Sequence, residues 1–484
     1  MKMADSIAQT AAPVASKLTA PELMQSTHAR VALLLGRVVF YSLITLIAFV
    51  ALPYGTVEPW WQALFECAVF TLAALWLVEG WLSGSWQLSR CYVLLPLLAL
   101  AGFGLVQTLS LGGVWLTISA DPHGTRLWAA RMLALILVGA LLLRYTSDGR
   151  RLRLLIYLVI GVAVASAAFG LLRQMTQHEV GFGLPYLKPG FGYAQFINKN
   201  HFPFLIEMAL GLVLGLAVSE SERAVRWPFY LGIALLLSGA LVSANSRGGV
   251  FSLLCQLLCA ALFFSAPQRR RDAFASDIGS HAVGRAQRLA SSPVMRALLA
   301  VCLLLAVVVG VVWVGGDPLA SSVESMPIEV GAPAAGVRWA VRRADIWPAT
   351  WQMFKDHKTA GVGFGGYWMA ITAYHNGSGE MTPQEAHNDY LEFLASGGLI
   401  GVVLGAWFIY VFSRRVRARL RAPDKFRRAV SVGALTGLAG VAVHSFVDFG
   451  LHITINAVIF IVLVVIATAS ERPDRQTASG RRRS

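Results

Sequence analysis

The chain has 484 residues, of which 56% are hydrophobic and only 14% charged. Soluble domains carry about 25% charged residues, so this composition could not cover the surfaces of a soluble enzyme of this length. The apolar residues fall in long runs separated by short charged or Gly/Pro-rich pieces, which also excludes a disordered chain and a coiled coil and leaves an all-α polytopic membrane protein. The net charge of +15 does not point to nucleic acid, because the basic residues lie mainly between the runs, where membrane topology accounts for them.

In chain order, residues 1–30 are polar, contain Pro13 and Pro21, and read as a cytoplasmic N-terminal tail rather than a cleaved signal. Residues 31–315 hold nine predicted spans, near 31–52, 60–82, 91–110, 126–144, 152–173, 200–219, 227–243, 248–265 and 296–315. A large loop follows over 316–396, then three more spans over 397–470 (397–413, 429–447 and 453–470) and a basic cytoplasmic tail over 471–484. Arg144, Arg150, Arg151 and Arg153 follow the fourth span, Arg269 to Arg271 the eighth, and Arg414 to Arg428 the tenth. These are all even-numbered spans, so the positive-inside rule places both termini in the cytoplasm and the loop outside. The loop carries nine acidic residues against five Lys/Arg, a balance that crosses easily. Within it Ile346, Trp347, Thr350, Trp351 and Phe354 recur at helical spacing, which predicts an amphipathic helix on the membrane surface or over a cavity. The pairs Gly401/Gly405 and Gly433/Gly437 predict close helix packing. Cys67, Cys91, Cys255, Cys259 and Cys302 form no Cys-x-x-Cys, so no zinc or redox site is indicated.

Polar residues at the span edges are the functional candidates. In Ser243-Ala-Asn-Ser-Arg-Gly-Gly249, Ser and Asn can cap the next helix, the glycines allow close backbone approach, and Arg247 beside a helix N-terminus makes an anion site suited to phosphate. Asn198, Lys199, Asn200 and His201 repeat that chemistry at the start of the sixth span. Arg338, Arg342 and Arg343 lie in the acidic loop; Arg343 either holds diphosphate or pairs with Asp345 or Asp356. His387 at the outer membrane edge can act as a general base, oriented by Asn388 or Asp389. His444, Asp448 and His452, spaced four apart, would share one face of a continuous helix and read as the lining of a cavity more readily than as a metal site. Arg131, Glu66 and Glu79 are charged groups in or near spans whose partners the sequence does not name.

Together these stretches resemble the O-antigen ligase/polymerase superfamily of bacterial membrane glycosyltransferases. The matching pieces are Pro53-Tyr-Gly-Thr-Val-Glu-Pro-Trp60, Ile197-Asn-Lys-Asn-His-Phe202 with Ser246-Arg-Gly-Gly249, then Arg343-Ala-Asp-Ile-Trp347, Gly361-Val-Gly-Phe-Gly365, His387-Asn-Asp-Tyr-Leu391 and Gly397-Gly-Leu-Ile-Gly401, and last His444-Ser-Phe-Val-Asp-Phe449. Ser396 and Thr454 depart from the family pattern, which often has Glu and Pro there. The resemblance implies a GT-C-like fold of about twelve spans in the bacterial inner membrane, with the site facing the periplasm. It implies an inverting, metal-independent glycan transfer from an undecaprenyl-diphosphate donor, with no cofactor. In that family His387 would match the general base, Arg247 and Arg343 the arginines that hold the diphosphate, and Lys199 a helper; Asn198, Asn200, Asn388, Asp389, His444 and Asp448 would support them. The chain has no Asp-x-Asp, the usual metal and nucleotide-sugar signature.

Three acceptors fit this architecture: a second lipid-linked glycan (a polysaccharide polymerase), lipid A-core (an O-antigen ligase), or a protein hydroxyl (a protein O-oligosaccharyltransferase). His387-Asn-Asp-Tyr with His444-Ser-Phe-Val-Asp-Phe looks most like the polymerase branch. A lipid-linked glycan transporter is the rival from another class. Transporters place charges near the midplane of repeated halves, whereas the candidates here gather at the outer face.

Overall fold

The computed structural model describes residues 20–52, 54–86, 92–110, 117–176, 187, 192–219, 226–264, five positions between 298 and 309, 343–375 and 383–469. These residues form helices and no strand. The elements are α1 (Ala20–Val50), α2 (Pro59–Ser83), α3 (Leu95–Gln107), α4 (Pro122–Tyr145), α5 (Gly149–Thr176), α6 (Phe202–Ser219), α7 (Trp227–Ser243), α8 (Arg247–Phe264), α9 (Arg343–Asp356), α10 (Tyr367–Ala370), α11 (Asp389–Leu420), α12 (Lys425–His444) and α13 (Thr454–Thr468). Seven helices, α1, α2, α4, α5, α6, α11 and α12, are long and apolar enough to cross a membrane; α3, α7, α8 and α13 are shorter apolar helices. The span expected over 296–315 lies mostly outside the described residues, as do Arg338, Arg342 and both tails.

Local chemistry sets the helix starts. Proline opens α2, α3, α4 and α7, where its missing N–H costs nothing. Asp121 caps α4 by accepting from Gly124 N, and Asp424 caps α12 by accepting from Arg427 N. In the core, α12 packs along α6 and against α8. Gly433 and Gly437 permit this. A Cβ on Gly433 would lie 2.6 Å from Gly211 O, and one on Gly437 would lie 2.8 Å from Met208 O. Gly401 and Gly405 instead face the rings of Phe364 and Phe393, so their spacing serves aromatic packing rather than backbone contact.

Two charged pairs are resolved here. Glu79 takes both a 2.8 Å bond from Arg144 Nε and a 2.6 Å bond from Arg144 Nη2, with Tyr145 as a third donor. Arg131 bonds Gln62 and lies 3.9 Å from Glu66.

The long helix α11 is broken at Gly398, where φ is 58° and ψ −160°. The break frees carbonyls on its first turns, and the loop after α9 takes them up. Val362 N donates to Ala395 O at 3.0 Å, and Gly363 N donates to Ser396 O at 3.0 Å. Buried Gln107 at the end of α3 bonds Ala360 O, Ser396 O and Phe364 N. Phe364 then stacks on Trp128 with centroids 4.2 Å apart. The amphipathic helix predicted in the large loop is α9; it packs on α11, with Ala349 and Met353 in one buried cluster with Ala395.

Candidate functional site

Several helix ends meet at one end of the bundle. Ile455 N at the start of α13 donates to Gly55 O, and Thr454 Oγ1 donates to Thr56 O just before α2. Asn456 Nδ2 donates to His201 O just before α6, and Asp389 N at the start of α11 donates to Ser445 O at the end of α12. The polar residues singled out from sequence collect there.

His387 sits in the short segment before α11, buried, with φ at 48°. A left-handed backbone costs a non-glycine residue about 1–2 kcal/mol, so the surroundings must hold it. They do so through Ala386: its N–H donates to Glu392 Oε2 at 2.8 Å, and its carbonyl accepts from Trp347 Nε1 at 3.1 Å. The His387 Nδ1 lies 3.4 Å from Asp448 Oδ1, and its ring stands edge-on to Phe449 with centroids 4.6 Å apart. Asp448 Oδ2 accepts from Arg343 Nη2 at 3.1 Å, and Oδ1 accepts from Phe449 N at 3.0 Å. Arg343, His387 and Asp448 thus form one buried constellation built from three segments distant in sequence. Arg343 Nε is buried with no hydrogen-bond partner among the described residues.

The electrostatics follow from this packing. Burial pushes His387 below its ordinary value, against the opposing hydrogen bond and charge of Asp448, and the Arg343 charge lowers it further. Burial alone would raise Asp448, but the His387 hydrogen bond and the Arg343 charge outweigh it and hold the carboxyl well below its usual range. Loss of solvent, with the charges of Glu392 and Asp448, pushes Glu385 up to about 8.

The structure corrects four expectations about these residues. Neither Asn388 nor Asp389 orients His387. Asn388 caps α11, accepting from Tyr390 N and Leu391 N, while Asp389 accepts from Ser445 Oγ and lies 3.7 Å from His452. Asp448 does the orienting. Arg343 pairs with Asp448 rather than with Asp356, and the Asp345 side chain lies outside the described residues. His444, Asp448 and His452 do not share a face, because α12 ends at His444 and the chain turns. His444 goes to Glu207 in the core, Asp448 to His387 and Arg343, and His452 to Asp389 and Glu392. Last, Gly248 and Gly249 do not open the backbone to a ligand. A Cβ on Gly248 would lie 2.9 Å from His444 Nε2, and one on Gly249 would lie 2.6 Å from Pro203.

Ser246 caps α8, accepting from Gly249 N at 3.2 Å, and Arg247 stands exposed at the first position of that helix. The turn that abuts Gly248 includes His444 and Val447, next to Asp448, so Arg247 and His387 flank the same turn. Asn198, Lys199 and Asn200 form a turn at the start of α6, in which Asn198 Oδ1 accepts from Asn200 N at 2.8 Å. Asn198 is buried; Lys199 and Asn200 are half-buried. The turn reaches the constellation through His201, whose ring is edge-on to Phe449 with centroids 4.7 Å apart. Phe449 also contacts His452, so one ring spaces three imidazoles.

Sequence reasoning missed Glu207, Glu392 and the hub role of Phe449. For Glu207 a signal existed, since it is the one acidic residue in the apolar run over 202–219. Among the described residues no group of three or more His, Cys, Asp or Glu is placed to hold a metal ion.

Residues 232–406, a little over a third of the chain, match the family model of O-antigen ligase. The match includes Arg247, Arg343 and His387 and stops short of Asp448. No curated protein matches the chain. Over residues 232–406 the chain is thus similar to the O-antigen ligase family, and among the described residues it is all-helical with seven helices long and apolar enough to cross a membrane.

Proposed function

We propose that the protein transfers a glycan from an undecaprenyl-diphosphate donor to an acceptor hydroxyl at the periplasmic face of the inner membrane, with inversion at the anomeric carbon. The observation that carries this reading is the buried constellation of Arg343, His387 and Asp448 beside the first turn of α8.

The acceptor oxygen attacks C1 of the donor sugar while the bond from C1 to the phosphate oxygen breaks. The electron pair leaves with the diphosphate, and the acceptor proton passes to His387. Burial keeps His387 neutral, so it can take that proton, and Asp448 then stabilises the imidazolium from Nδ1. The leaving diphosphate gains negative charge, which Arg343 and Arg247 neutralise together with the N-terminus of α8; Lys199 assists from the turn before α6. The unpartnered Arg343 Nε supports this role, since it is a donor with its fork still open. Charge stabilisation is assigned to these cations rather than to a metal, so activity is expected to persist in chelator.

The favoured acceptor is a second lipid-linked glycan, on the likeness of the His387 and His444 segments to polymerases. Lipid A-core is the second reading, favoured by the ligase family match.

The test is a reconstituted assay with an undecaprenyl-diphosphate glycan, comparing the wild type with His387→Ala and Arg343→Ala. A size ladder from donor alone, absent in both variants, supports a polymerase. Product that needs lipid A-core supports a ligase. Full product from His387→Ala would overturn the mechanism.

A further inference from the structure

The mechanism leaves one buried ionisable pair unused. Glu207 on α6 and His444 at the end of α12 are both fully buried in the core. Glu207 Oε1 accepts from His444 Nδ1 at 2.9 Å and from the Ser252 hydroxyl of α8. One turn along α8, Gln256 Nε2 donates to the Glu207 carbonyl at 2.6 Å. The His444 ring stacks on Phe204 with centroids 4.1 Å apart, which fixes its plane. Its Nε2 is buried without a hydrogen-bond partner among the described residues and faces Gly248, where a Cβ would come within 2.9 Å.

We propose that Glu207 and His444 are a positioning pair that sets the first turn of α8, and with it Arg247. The inference rests on the reading of Arg247 as a diphosphate ligand. Ser252 and Gln256 tie α8 to Glu207 at successive turns, and the edge of His444 meets the backbone beside Arg247 with no side chain between. Pro203 closes the other side against Gly249. The turn is therefore wedged between the start of α6 and the end of α12. An apolar pair of the same volume would fill this space as well, and buried ion pairs are poor stabilisers. What the pair adds is direction: the carboxylate fixes the imidazole by Nδ1, so Nε2 bears on one point of α8. Ionisable side chains kept within a membrane core commonly serve function rather than stability.

The test measures binding of glycan-free undecaprenyl diphosphate to the purified full chain in lipid nanodiscs, with melting temperature recorded in parallel. The variants are Arg247→Ala, His444→Gln, Glu207→Gln, Gly248→Ala and the double variant Gly248→Ala/His444→Ala. Gly248→Ala leaves both members of the pair in place and pushes on the contact of His444 with α8 and, less closely, on Val447, and the double variant separates the two. We expect Gly248→Ala and His444→Gln each to weaken binding about tenfold with little change in melting temperature, and the double variant to bind better than Gly248→Ala alone. Unchanged binding in Gly248→Ala, or loss that only tracks loss of folded protein, overturns the positioning role. If the wild type binds and Arg247→Ala weakens binding while Gly248→Ala and His444→Gln do not, the pair is structural and the diphosphate reading survives. If the wild type does not bind at all, the diphosphate reading fails and this inference fails with it.

Discussion

As the proposed general base, His387 would work only as a neutral imidazole, so its titration would set the acid side of the activity. Burial lowers it, and the base form therefore persists as the pH falls past the ordinary value of 6.5; activity is lost only as the pH drops through the depressed value. Asp448 opposes that shift and Arg343 adds to it. Asp448→Asn should therefore move the acid limb of the rate profile to lower pH, and Arg343→Gln should move it to higher pH, each with a lower plateau. Parallel shifts in one direction would show that neither group faces the imidazole. His387→Ala should lose about 10²–10⁴ in rate, read from product formation at saturating donor. Glu385 makes a contrasting case. Pushed up to about 8, it carries its proton at neutral pH, so Glu385→Gln should leave the rate at pH 7 within about twofold and remove any inflection near pH 8. For stability the sign runs the other way at Asp448. Its depressed folded value adds stability above its ordinary value of 3.8, and that contribution disappears as the pH falls below it.

Among the elements, α11 carries the largest departure from regular geometry. Gly398 and Gly361 depend on each other there. A Cβ on Gly361 would strike Ser396 O at 2.3 Å, and one on Gly398 would strike Gly361 N at 2.6 Å, with both backbones at positive φ. Gln107 is the side chain that closes this junction, donating to two carbonyls and accepting from Phe364 N. Gln107→Leu takes this partner from Phe364 N and Ala360 O, while Ser396 O keeps Gly363 N, and should cost about 1–3 kcal/mol per unsatisfied group. Denaturant titration in detergent would measure it, and an unchanged midpoint would mean that water replaces the amide. The cap at Asn388 bears on the site more directly, since it begins α11 immediately after His387. Asn388→Ala should cost about 1 kcal/mol and lower activity through the His387 segment, with melting and rate measured on the same preparation.

Across the whole molecule, tight packing and buried charge hold the helices in register. The glycine seam between α6 and α12 brings backbones into contact, so Gly437→Leu should prevent the bundle from assembling, read as loss of monodisperse protein on gel filtration. At Glu79 and Arg144 the geometry is bidentate and both side chains are buried. Arg144→Ala would strand the carboxylate, at a cost of about 3–5 kcal/mol. Restoration of the lost stability by the further change Glu79→Gln would confirm that the stranded charge is the cause. The same tight seam carries the candidate site, because α12 ends in the turn that supplies His444, Asp448 and Phe449.

From the sequence by itself came the fold class, most helix positions, the amphipathic helix in the large loop and the identities of Arg343, His387 and Asp448 as candidates. Each has a local signature: a run long enough to cross a bilayer, a helical recurrence of apolar residues, or a polar residue where burial makes it costly. The partnerships were not legible. His444, Asp448 and His452 are evenly spaced, yet the helix stops at the first of them, and each turns to a different segment. The glycines beside Arg247 look like a ligand cradle in the sequence and prove to be clearance for neighbouring helices. Glu207 lies 237 residues from His444, and Arg343 lies 105 from Asp448. Hydrophobic periodicity reports which face of a helix avoids polar surroundings, whereas a hydrogen bond depends on the position of a second group within about 3 Å. Only the packed bundle supplies that second position, and so only the tertiary structure decided which charges meet.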